Sequence, residues 1–368
     1  MPRLVEEEWN TGLFSRKKCS DLRLCLMKQD YITMSSKLVV AQPIHNNVLS
    51  YLEQHADVEM NPGPEPYGRR ELIEKCADAH GVMVFMTERI DPQFLETCKN
   101  MKVISGALKG YNNINVYECS RQNIPVTIVP DLLSEPTGEL TIGLMLSLAR
   151  KVCAGDRYIR GGNFSGWRPT FYGQSLSKAN VLVIGAGGVG KTVLRMLKGF
   201  GCKCSYVDTV RLSGEEEIEL ACSPTELKEG LPNADFVVLA LHLMPETRHL
   251  VDEVFLSKMK KSSFLINPAR GSLVDEKAVE AALLEQKIAG YAADTFEVED
   301  WTIPDRPRSI SPALLGLENT VFTPHIGSAV RDVREAIEFS AAKSLVDGIN
   351  GKIPENTVNA KHLREVRW

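Results

Sequence analysis

From Lys37 onward, short and wholly apolar runs alternate with longer stretches in which apolar residues recur at helical spacing. Strands buried on both faces lose the polar half of the usual alternation, so this pattern predicts parallel sheets covered by helices on both sides. The runs place strands at 37–41, 82–85, 102–105 and 126–129, with Leu72, Ile73 and Cys76 marking an amphipathic stretch between the first two. Pro130 and Pro136 break the rhythm, and 140–149 reads as a long apolar helix, so a hinge between two lobes is expected there. A second series predicts six strands, at 181–184, 205–207, 236–241, 264–266, 290–293 and 321–323. A helical pattern over about 328–349 then predicts a crossing back that completes the first lobe. The expected divisions are 1–33, 34–132, 133–325 and 326–368, the first being an appendage.

Composition narrows the classes. A length of 368 residues is comfortable for two domains, and 43% hydrophobic with 24% charged residues excludes disordered and fibrous classes. A net charge of -4 gives no electrostatic reason for a nucleic-acid partner, and no run reaches the length of a membrane span. Nine scattered cysteines, an odd number with no CxxC pair, fit a reducing, cytoplasmic compartment. In the appendage, Glu6, Glu7 and Glu8 precede the basic Arg16, Lys17 and Lys18, and acidic residues argue against a transit peptide. Met34 is an alternative start.

The run Val181 to Ile184 leads into Gly185, Ala186, Gly187, Gly188, Val189 and Gly190, then into a helix with Val193, Met196, Leu197 and Phe200 on one face. GxGxxG between a buried strand and an amphipathic helix is a dinucleotide-binding signature. Gly185 permits the tight turn, Gly187 lets backbone approach a pyrophosphate, and Gly190 lets helix and strand pack closely. The next strand ends in Asp208, eighteen residues after Gly190, where a carboxylate accepts from ribose hydroxyls and repels a 2'-phosphate. NAD is therefore expected over NADP, with Arg211 the nearby cation that tempers the preference.

Three later segments, all at strand ends, each offer one group suited to hydride-transfer chemistry. Arg270 is a permanently charged fork for an oxyanion, His325 can exchange a proton near neutral pH, and Glu299 can orient and charge-stabilise that imidazole. Glu297 is the competing carboxylate. Nothing in the pattern calls for a metal.

The Gly-rich loop with Ala269-Arg270-Gly271, Asp294-Thr295-Phe296-Glu297-Val298-Glu299 and Pro324-His325-Ile326-Gly327 resembles the D-2-hydroxyacid dehydrogenase family, over roughly 37–350. Only Thr295 departs from the usual DVFExE segment. The resemblance implies a Rossmann α/β domain plus a smaller flavodoxin-like α/β substrate domain completed by the C-terminal helix. It also implies Arg270, Glu299 and His325 in catalytic roles and a homodimer. Thr137, Val189, His242, Pro268, Ala269, Asp294 and Gly327 join the cofactor site by the same resemblance.

The substrate loop departs from the common family, with Leu108-Lys109-Gly110 where a small apolar residue usually replaces the lysine. This loop, with Met86, Trp167, Tyr172 and the run after Pro324, is similar to the phosphite dehydrogenases. That similarity implies NAD-dependent oxidation of phosphite to phosphate, with Lys109 and Arg270 on the substrate oxygens and His325 as base. Met86, Leu108, Gly110, Trp167, Tyr172, Ser328 and Arg334 would support the site, and Ser328 would cap the last helix. Asn112 replaces a carboxylate usual there. The alternative is a D-2-hydroxyacid dehydrogenase or glyoxylate-type reductase, and a remote one is an NAD-sensing protein like the C-terminal-binding-protein corepressors. Either enzyme takes a small anionic substrate.

Overall fold

The computed structural model describes residues 36–363. The appendage and the Met34 alternative therefore lie outside the described residues. The chain forms two parallel sheets with helices on both faces, as the apolar runs require. In the first sheet, β1 (Lys37–Val40), β2 (Asp57–Met60), β3 (Gly81–Val84), β4 (Val103–Gly106) and β5 (Val126–Thr127) stand in the order 2-1-3-4-5. That is the flavodoxin-like order. The expected strand at 126–129 stops after two residues. Beyond it the C-terminal segment closes the sheet edge, with Asn359 accepting from Val126 N–H at 3.0 Å and Ile128 N–H donating to Asn356 O at 3.2 Å.

The second sheet holds β6 (Asn180–Ile184), β7 (Lys203–Val207), β8 (Cys222–Pro224), β9 (Phe236–Leu239), β10 (Phe264–Asn267), β11 (Gly290–Ala293) and β12 (Thr320–Phe322). Their spatial order is 12-11-10-9-6-7-8, the doubly wound Rossmann arrangement with a seventh strand added. All pairings are parallel. The edge strands β2 and β8 are absent from the strands expected on sequence. Both are too polar and exposed to show an apolar run.

Each sheet is flanked by two apolar clusters, one per face. Helix α1 (Asn46–Glu53) lies over the first sheet. The chain leaves that sheet through Pro130, and the next long helix, Ser134–Ala149, packs on the second lobe against the helix Gly188–Gly199. Pro136 sits in its first turn, so the helix begins earlier than 140 because a proline there forfeits no helical hydrogen bond. After β12 the chain returns as a 19-residue helix, Arg331–Ile349, lying on β3, β4 and α1. It is held by Ile337, Ala341, Leu345 and Ile349, and burying Leu345 alone contributes roughly 2 kcal/mol. Its N-cap residue is Val330, without a side-chain cap, so the Ser328 cap expected from sequence is not formed. Among the described residues no helix is long and apolar enough to cross a membrane.

Candidate active site

Both sheets end their strands at one cleft of about 550 Å³. Its cofactor-side wall is the loop from β6 into the helix Gly188–Gly199. Gly185 has φ +99°, and a Cβ there would lie 2.4 Å from Ala240 O. A Cβ on Gly190 would lie 2.0 Å from Gly185 O, so strand and helix approach closely only because both are glycine. Around Gly187 nothing lies within 4 Å of that position, which leaves the helix N-terminus open to a phosphate. These features fit a bound dinucleotide.

At the end of β7, Asp208 accepts from Ala186 N–H at 2.6 Å and Val210 N–H at 3.0 Å. Burial works to raise its carboxyl, but those backbone donors outweigh it and hold the group below the ordinary range. Arg211 is turned to Glu217, donating to both oxygens at 3.0 and 3.1 Å, so it is committed elsewhere than to a 2'-phosphate. Thr137, Gly187, Gly188, Val189, His242, Pro268, Ala269, Asp294 and Gly327 all line the cleft.

The three reactive groups converge from different loops. Arg270 follows β10 and donates to Ala269 O at 2.8 Å and Gly110 O at 3.3 Å, which aims its guanidinium across the cleft at the first lobe. Burial pushes its pKa down, with Asp300 and Glu299 opposing. His325 follows β12 with φ +55°. Its N–H donates to Asp294 O at 2.8 Å, while the Asp294 carboxylate gathers the Thr323 hydroxyl at 2.6 Å and the N–H groups of Ile326 and Gly327 at 2.8 Å. That network over-determines a left-handed conformation that few residues other than glycine adopt. Glu299 lies in a short 3-10 turn, accepts from Phe296 N–H at 2.8 Å and is hydrogen-bonded to Nδ1 of His325. Glu297 turns the other way, to Nε2 of His249 at 2.7 Å.

Other contacts lock the loops together, and spacing alone does not reveal them. A Cβ on Gly271 would overlap the Phe296 carbonyl carbon at 1.8 Å, so the arginine loop rests directly on the glutamate turn. Asp300 accepts from Ser272 N–H at 2.7 Å, and the buried Glu276 accepts from Glu297 N–H at 2.7 Å.

The first lobe contributes Met86, Lys109 and Gly110 to the cleft, and Ser328 lines it from the return segment. Four residues expected to support the substrate are placed differently. Leu108 is fully buried in the core beneath its loop, so its side chain does not reach the cleft. Trp167 and Tyr172 are 79% and 76% exposed and are not among the described residues that line this cleft. Arg334 stacks over Phe85 at 5.7 Å and faces Glu338 at 3.8 Å, away from the lining.

Comparisons with known proteins agree with this geometry. Residues 142–327 match the model for the D-isomer specific 2-hydroxyacid dehydrogenase NAD-binding domain. The chain is 34% identical to a glyoxylate reductase of Pyrococcus furiosus, over 90% of this chain and 97% of that one. It is 33% identical to a glyoxylate reductase of Thermococcus kodakarensis, over 91% and 99%. The crystal structure of the TT0316 protein from Thermus thermophilus superposes with a TM-score of 0.80 at 30% identity, covering 88% of this chain and 99% of that one. The chain belongs to the D-isomer specific 2-hydroxyacid dehydrogenase family, an NAD-dependent oxidoreductase of two α/β lobes.

Proposed function

We propose that the chain reduces a small 2-oxo acid, glyoxylate foremost, to the corresponding 2-hydroxy acid. The observation that carries the reading is the His325–Glu299 pair facing Arg270 at the mouth of the nucleotide cleft. Bound NADH supplies the hydride. Arg270 holds the substrate carboxylate through its fork. His325 gives a proton to the carbonyl oxygen as it gains charge, and Glu299 fixes the ring and stabilises its protonated form.

The proposed division of the chain follows the crossings, with 34–132 and 326–368 holding substrate and 133–325 holding cofactor. A homodimer is part of the proposal, supported by exposed Val152, Ile159, Phe164 and Trp167 on and after the helix Val152–Arg160. A reducing, cytoplasmic setting is supported by seven described cysteines, none of them bridged.

Oxidation of phosphite is the second reading, and the presence of Lys109 in the same cleft as Arg270 favours it. The relatives named glyoxylate reductases favour the first. The test is a panel of glyoxylate with NADH beside D-lactate, D-glycerate and phosphite with NAD. Glyoxylate should give the highest kcat/KM. Phosphite turning over orders of magnitude faster than any organic acid would reverse the order of the readings.

A further inference from the structure

Lys109 is expected at the substrate, yet its ammonium is aimed elsewhere. It extends from the loop after β4 in the first lobe and donates to Ser134 Oγ at 3.1 Å, at the start of the helix that enters the second lobe. A Cβ on Gly188 would lie 2.8 Å from its Nζ and 2.6 Å from Ser134 Oγ. The ammonium therefore stands over the first residue of the helix Gly188–Gly199, where an open N-terminus receives a phosphate.

That charge is incompletely answered. Among the described residues Lys109 makes no ion pair within 4.0 Å, and one hydroxyl satisfies only one of its three donors. Burial pushes its pKa down, and only the more distant Asp131 opposes this. Lys109 and Arg270 in turn depress His242 on the same wall, after burial. A half-buried ammonium without a carboxylate partner is stabilised by an anion bound beside it.

We propose that Lys109 is a ligand of the cofactor's pyrophosphate. A point-charge ammonium from the substrate lobe then straps that lobe to the nucleotide, while Arg270, held on Gly110 O, takes the substrate anion alone. The inference rests on the cofactor half of the proposed function, not on which substrate is used. Ser134 is a positioning residue, since its hydroxyl holds Nζ over the loop.

The experiment is equilibrium titration of the full chain, without substrate, by NADH fluorescence and calorimetry. Lys109→Met should weaken NADH and ADP-ribose by about tenfold or more, the usual effect of losing one charge-assisted hydrogen bond, and leave adenosine unchanged. Lys109→Arg should recover most of the affinity, and Ser134→Ala should show a smaller loss with the same ligand pattern. Unchanged NADH and ADP-ribose affinities, in a variant with the parental thermal transition, would overturn the proposal and return Lys109 to the substrate. If the methionine variant does not fold, Lys109→Gln carries the same comparison. Failure of the 2-oxo-acid reading would appear in the substrate panel alone, because these titrations contain no substrate.

Discussion

Replacing Glu276 by Gln should change how stability depends on pH, and the structure gives the size. Glu276 opens the helix Glu276–Leu284, is 7% exposed and accepts from Glu297 N–H at 2.7 Å. Burial first, and then the negative charges of Glu297, Glu299 and Asp300, raise its carboxyl from 4.5 to about 7, against the pull of that N–H. The folded chain therefore keeps a proton between pH 4.5 and about 7 that the unfolded chain has released. Stability from this group is complete below pH 4.5 and is lost as pH rises through about 7. At 1.36 kcal/mol per pH unit the rise from 4.5 to about 7 corresponds to about 3 kcal/mol. The Gln side chain keeps an oxygen for Glu297 N–H but cannot ionise. Urea unfolding at pH 5 and pH 8.5 should show the variant gaining on the parent by that order as pH rises. Parallel profiles would refute the reasoning and mean that Glu276 titrates as an ordinary carboxyl.

His325→Ala should lower kcat by roughly 10²- to 10⁴-fold with little change in NADH affinity, measured by steady-state kinetics and titration. Glu299→Gln should shift the pH-rate profile of glyoxylate reduction to lower pH, because a neutral partner no longer stabilises the imidazolium; an unmoved profile would exclude the pair from proton transfer. Asp208→Ala should weaken NAD and narrow its advantage over NADP, read from kcat/KM for both cofactors, and a variant with the parental ratio would make that carboxylate a structural cap on Ala186 N–H alone.

The two-sheet architecture was legible in the sequence because strands buried on both faces leave runs such as Phe236–Leu239 and Gly290–Ala293 that no amphipathic helix produces. The glycine loop and the Arg270, Glu299 and His325 segments were legible because close approach and proton transfer restrict residue type at fixed spacing. Edge strands β2 and β8 escaped because one exposed side permits polar residues, and Arg334, Trp167 and Tyr172 were assigned by likeness where only packing fixes direction. The resemblance named Glu299 over Glu297 as the partner of His325, and the tertiary structure supplies the reason, since the two are two residues apart and the 3-10 turn sends one to His249 and the other to the cleft. The tertiary structure alone decided where Lys109 points. A four-carbon stem can reach either ligand from that loop, and the partner that captures it, Ser134, is twenty-five residues away in the chain and adjacent only after the lobes have come together.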